Sequence, residues 1–171
     1  MLLLAKAFLD IAFGRKGPAH LPASPLLLAL VSAAAAALEA LDASLSAEPI
    51  AGIWARLVLA VGLPLVFTWA LLSLARRKQR ILQTNIALMG VGVLAAIVLY
   101  PLGALYKIVG AERVLSYPIG FLVCIGFLWY MLVCAQIWRA ALDSGLLLGG
   151  VISVGYLILT LALQNQLLPQ T

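Results

Sequence analysis

Charged residues are missing from this chain over three very long intervals, and few folds tolerate that. No Asp, Glu, Lys or Arg lies between Arg80 and Lys107, between Arg113 and Arg139, or anywhere after Asp143. Each interval is longer than the roughly 20 apolar residues that cross a hydrocarbon core about 30 Å thick. A water-soluble core built from 171 residues could not hide so much apolar surface. Composition agrees: 65% of residues are hydrophobic, 10% are charged, and mean hydropathy is +1.14. Soluble domains lie nearer 45–50% apolar and about 25% charged. The chain is therefore expected to be an all-α, polytopic membrane protein.

The intervals divide into five expected spans, at about 25–43, 50–75, 84–105, 117–138 and 144–163, within a single integral membrane domain covering 1–171. Ser24 and Pro25 open the first span, Ser as N-cap and Pro where its missing N–H costs nothing. Gly17, Pro18 and Pro22 keep the preceding segment out of a helix. Gly62 and Pro64 in the second span, and Pro101 near the end of the third, are the candidate sites of local helix distortion. Tyr100, Tyr106 and Tyr117 fall at one membrane face and Trp138 at the other, as interfacial aromatic belts would.

Residues 1–16 read as a retained amphipathic helix, either lying in the membrane interface or packed on the end of the bundle. No charged segment precedes its apolar run, and Lys6 and Asp10 interrupt that run. Their i,i+4 spacing puts the two charges on one side, with Leu2, Leu9 and Phe13 expected on the other.

Basic residues set the expected orientation. With the N-terminus inside, Lys6, Arg15, Lys16, Arg76, Arg77, Lys78, Arg80 and Arg139 are cytoplasmic, and only Arg56, Lys107 and Arg113 are outside. The cluster Arg76, Arg77, Lys78 and Arg80 is the main topology determinant under the positive-inside rule. The expectation is a bacterial inner-membrane protein with N-terminus in and C-terminus out. The same cluster sits between apolar spans with no nucleic-acid-reading motif around it, so no nucleic-acid partner is expected.

Catalytic motifs are missing from the sequence. His20 is the single histidine, which removes a zinc site built on several imidazoles, and no HExxH, P-loop or GxSxG pattern occurs. An enzyme would have to recruit lone acids such as Glu112 or Asp143. No cofactor, metal or soluble substrate is expected. Cys124 and Cys134 lie ten positions apart on one helix, about 15 Å along its axis, too far for a disulfide, and read as packing residues.

Two residue groups stand out. Glu39 and Asp42 end the first span and Arg56 lies in the first turns of the second, so the joining loop brings an acid within reach of the arginine. That group reads either as an ion pair or as a polar site for a lipid head group or partner. Gly145, Gly149 and Ser153 form a small-xxx-small ridge on the fifth span, fit for docking a helix of this chain or another. Gly92 and Ala96 offer a shorter version on the third. Thr68, Thr84, Asn85 and Gln136 are too sparse to line an aqueous pore.

The five-span plan, the opening Phe8-Leu9-Asp10 through Arg15-Lys16-Gly17-Pro18 and Leu21-Pro22-Ala23-Ser24-Pro25, and the segments Tyr100-Pro101-Leu102-Gly103 and Gly155-Tyr156-Leu157 resemble the Yip1-like membrane proteins and small bacterial inner-membrane proteins grouped near them. The Asp-Leu-Tyr-Gly-Pro signature of eukaryotic members is absent, so their trafficking role does not carry over. The resemblance implies a five-helix bundle and a non-enzymatic factor working through partners or lipids. Two functional readings follow. The first is an accessory, assembly or scaffold subunit docked to another membrane protein or to itself. The second is a lipid or small-solute transport component, which requires a cavity opening toward Glu39, Asp42 and Arg56.

Overall fold

The computed structural model describes residues 2–15, 17–45, 50–110 and 114–167. Lys16, Glu112, Arg113 and the side chain of Leu2 lie outside that set. The described chain is helical, with α1 (Leu2–Ala12), α2 (Pro25–Leu45), α3 (Ile50–Leu57), α4 (Leu63–Leu74), α5 (Ile81–Val109), α6 (Ser116–Leu142) and α7 (Leu146–Leu167). A π-helical turn, Val58–Gly62, joins α3 to α4 into one continuous crossing. Among the described residues, five segments are long and apolar enough to span a membrane: Pro25–Leu45, Gly52–Leu74, Lys78–Val109, Ser116–Leu142 and Leu146–Leu167. This is an all-α, multi-pass membrane protein.

Local chemistry explains where the helices begin, bend and end. Ser24 caps α2, its Oγ accepting from the Leu27 N–H at 3.4 Å. The π turn falls immediately before Pro64, whose missing N–H would otherwise orphan the carbonyl four residues earlier. Widening one turn redistributes those bonds without breaking the crossing. Pro101, by contrast, lies inside α5, which continues to Val109, past the expected end near 105. Helix α4 closes on Arg76, with φ of 57°, and α6 on Asp143, with φ of 47°. In both, the next N–H reaches back five residues, Arg77 to the Leu72 carbonyl at 2.7 Å and Ser144 to the Arg139 carbonyl at 3.0 Å. These are left-handed helix stops of the kind glycine usually makes.

Helix α5 is the axis of the bundle, packing against α1, α2, α4 and α6. Every residue from Thr84 to Val91 is buried, so at this level neighbours surround the helix on all sides. The core joins Leu27 of α2, Ile86, Leu88 and Val91 of α5, and Val133, Ile137 and Trp138 of α6. Toward the other end of α5 the packing opens, and Ile97, Val98 and Leu105 are exposed. The bundle is thus tight at the end carrying Arg77 and Arg80 and loose at the end carrying Glu39 and Tyr100.

Three expectations about faces need correcting. At about 100° per residue, the side of α1 across from Lys6 and Asp10 belongs to Phe8, Ile11 and Ala12, while Leu9 and Phe13 stand beside the charges. The structure accordingly buries Phe8, Ile11 and Ala12 and exposes Leu9 and Phe13. The Phe8 ring lies over Gly90, and the Trp129 indole N–H donates to the Ala12 carbonyl at 3.1 Å. Trp138 is not a belt residue: it is buried in the core, edge-on to Phe67 with ring centroids 5.6 Å apart. Of the two cysteines only Cys134 is buried, whereas Cys124 faces outward.

Candidate functional site

Near the loose end, Asp42 of α2 and Arg56 of α3 face each other. Arg56 Nη1 donates to Asp42 Oδ2 at 3.1 Å, with the two side chains 24% and 22% exposed. Glu39, one turn deeper on α2, accepts a hydrogen bond from the Tyr100 hydroxyl on α5. The three residues grouped in the sequence therefore gather at one place, joined by a tyrosine that the belt reading had assigned to the membrane surface. Two acids and one arginine make the cluster polar, with each acid engaged by a donor on a neighbouring helix.

Below this cluster lies an open cavity of about 470 Å³ between α2, the α3–α4 crossing, α5, α6 and α7. Glu39, Asp42, Arg56, Tyr100, Thr160 and Gln164 line its polar end, and Met89, Cys134 and Trp138 lie toward the other. Eleven residues of α5 separate Met89 from Tyr100, a depth of roughly 16 Å. Its walls include small residues at Ala35, Ala60, Gly92, Ala95 and Ala96, together with Leu59 and Pro64 at the π-helical turn. Ala35 of α2 and the Gly92/Ala96 pair of α5 leave volume that larger side chains would fill. The short Gly92/Ala96 ridge is thus a cavity wall. Tyr130 and Tyr156, overlooked in the sequence, also line the cavity. Their signal was a polar-tipped aromatic in the middle of an apolar span.

A second hollow runs between α2 and α5 on the outside of the bundle. Its walls are Leu38, Leu41, Asp42 and Leu45 on one side, and Ala96, Ile97, Tyr100, Pro101, Ala104, Lys107 and Ile108 on the other. Asp42, Ala96 and Tyr100 border both spaces.

The fifth-span ridge divides. A Cβ at Gly149 would lie 2.2 Å from the Ala135 carbonyl oxygen, so this glycine is where α7 crosses α6. Ser153 is buried beside it, its hydroxyl donating to the Gly149 carbonyl at 3.0 Å. Nothing lies within 4 Å of a Cβ built on Gly145. Gly149 and Ser153 therefore pack within the chain, and Gly145 stands apart from them.

At the tight end, Arg80 donates to Asp143 Oδ1 at 2.8 Å and to the carbonyls of Ala140 and Ala141 at 2.8 and 3.2 Å. Arg77 donates to the other Asp143 oxygen. The cluster read as a topology determinant thus also ties the α4–α5 turn to the end of α6, Arg80 filling the last carbonyls of that helix. Hydrogen bonds from Arg80, then Arg77, hold the Asp143 carboxyl below the usual carboxylate range.

No family model, curated protein or solved structure matches this chain.

Proposed function

We propose that this chain is a non-enzymatic membrane protein that holds a lipid within its helix bundle, as a lipid-handling or transport component. The cavity carries the reading. Its lining gathers apolar walls with the polar group of Glu39, Asp42, Arg56 and Tyr100. Its volume falls within the roughly 300–1,000 Å³ of ligand sites, and mostly apolar walls with a few polar groups at one end suit an amphiphile.

On this proposal the protein resides in a bacterial inner membrane. The end bearing Arg76, Arg77, Lys78 and Arg80 is cytoplasmic, and Glu39, Asp42 and Arg56 lie toward the periplasm, in keeping with the positive-inside rule. A Yip1-like ancestry for the five-helix plan belongs to the same proposal. The accessory or scaffold role has less behind it than the sequence suggested, because Gly149 and Ser153 are occupied with α6 of their own chain.

Purification in mild detergent with mass spectrometry of co-eluting proteins and lipids tests the proposal. The expected result is a stoichiometric lipid that is lost in Gly92→Leu, which fills the cavity, and kept in Gly155→Leu, whose site opens outward. A folded wild-type protein without lipid would refute it, and a stoichiometric protein partner in place of lipid would favour the accessory role.

A further inference from the structure

We infer that α1 is a short helix set into one leaflet of the bilayer on the flank of the bundle, its outer face covered by phospholipid. The inference is independent of what fills the cavity. Its basis is the level at which α1 docks. Phe8 packs on Gly90, ten residues along α5 from Arg80, and the Ala12 carbonyl accepts from Trp129, ten residues along α6 from Arg139. Each offset is roughly 15 Å of helix, half of a hydrocarbon core about 30 Å thick, and the long Phe8 and Trp129 side chains span part of it. The turns nearer the ends of α5 and α6 are covered by the next segment of chain. Gly14 lies against Gln136, Gly17 against Ala140, and the Leu21 carbonyl accepts from Gln83 at 3.0 Å. Helix α1 therefore stacks above that segment, against the sides of α5 and α6 and not on their ends.

Docking sideways changes what the other face meets. A helix lying among head groups turns its apolar face down into the acyl layer and its polar face to water. Here Phe8, Ile11 and Ala12 are buried against the bundle, and the face turned away from it carries Leu9 and Phe13, 46% and 66% exposed. At this depth those two side chains meet acyl chains. Charge complements the phosphates of the same leaflet. Lys6 and Arg15 are both exposed, and the long Lys6 stem can carry its ammonium back to the head groups. Arg15 stands over the Phe13 ring at 5.9 Å, between Gly14 and the level of Ala140 where the chain leaves the flank. Asp10, the acid on the same face, interacts with another group of the protein, so no bare carboxylate enters the apolar layer.

The test uses the full chain with Cys124→Ala and Cys134→Ala, reconstituted into vesicles of phosphatidylethanolamine and phosphatidylglycerol. One further position at a time is changed to cysteine and spin-labelled: Leu9→Cys and Phe13→Cys on α1, Ile125→Cys on the exposed side of α6, and Lys78→Cys in the α4–α5 turn. Collisions with oxygen, which concentrates among acyl chains, and with a water-soluble nickel chelate report the depth of each label. Labels at positions 9 and 13 are expected to match the one at 125, with the nickel collisions seen at 78 lost. Nickel collisions at 9 and 13 equal to those at 78 would overturn the inference. The pair Gly17→Cys/Ala140→Cys ties the chain in its docked state, because a Cβ on Gly17 stands 3.5 Å from that of Ala140, within the roughly 3.5–4.5 Å of a disulfide. The oxidised pair should leave the depth profile unchanged. An aqueous profile in this locked protein would overturn the inference whatever α1 does when untied.

Discussion

Gly149→Ala adds one methyl group at the α6–α7 crossing, and the structure indicates what that methyl costs. Its Cβ would stand 2.2 Å from the Ala135 carbonyl oxygen, 3.1 Å from the Ala135 carbonyl carbon and 3.1 Å from the Arg139 nitrogen. All three are backbone atoms of a helix, so no side chain can swing aside. Reaching ordinary contact at 3.4 Å requires the helices to part by roughly 1.2 Å. A radial gap of about 0.5–1 Å already forfeits a quarter to a half of each dispersion contact along the seam. Overpacking of this kind costs about 1–3 kcal/mol, occasionally more. Alanine returns up to about 1 kcal/mol in helix propensity. The expected net loss is about 2 kcal/mol. Gly155→Ala on the same helix is the control, since nothing lies within 4 Å of its Cβ, and it should gain up to about 1 kcal/mol from propensity alone. Reversible unfolding in mixed micelles with increasing SDS, followed by tryptophan fluorescence, measures both. Equal stabilisation by the two substitutions would refute the close crossing and return Gly149 to the pool of surfaces open to a partner.

Other perturbations probe the remaining contacts. Gly90→Ala places a methyl 2.1 Å from the Phe8 ring; it should undock α1 and expose residues 8–12 to protease, and in a Phe8→Ala background the same substitution should cost little further stability. Arg56→Leu leaves Asp42 without its partner and should lower folded yield, by less than the ~3–5 kcal/mol of a fully buried pair because both groups are partly exposed. Restored yield in Arg56→Leu/Asp42→Leu would establish the coupling, and wild-type yield in Arg56→Leu alone would dismiss it. Asp143 has a lowered pKa in the folded chain. Its contribution to stability is therefore complete above the unfolded carboxylate value of about 3.9 and disappears as pH falls through the folded value. Asp143→Asn should accordingly melt below wild type at neutral pH and converge with it in acid; a gap independent of pH would mean that the carboxylate charge is not what Arg77 and Arg80 hold.

Much of the architecture was legible because it depends on one-dimensional quantities. The length of each charge-free interval and the caps at Ser24 and Pro25 define the crossings. That an acid of the first span comes near Arg56 was also legible, since the two helices are joined by few residues, but that Asp42 pairs with it while Glu39 accepts from Tyr100 was not. Helix ends were less so: α5 runs through Pro101 to Val109, and α7 continues to Leu167. Near the membrane surface little in the local sequence distinguishes the last turn inside from the first turn outside. The faces were least legible. In a chain this apolar, core-facing and lipid-facing residues have the same composition, so Trp138 could be read as a belt residue and Cys124 as a packed one.

The sequence by itself determined that this chain holds five stretches long and apolar enough to cross a membrane and that most of its basic residues fall to one side of them, because hydrophobic length and charge act without reference to neighbours. Tertiary structure alone decided that Tyr100 reaches Glu39, that Gly149 and Ser153 face inward, that Asp143 receives two arginines, and that small residues from α2 and α5, with the π-helical turn, border an unfilled space. Each of these depends on which helices stand side by side and at what separation. Inside a bilayer that is set by close packing and hydrogen bonds between helices, to which hydropathy is blind.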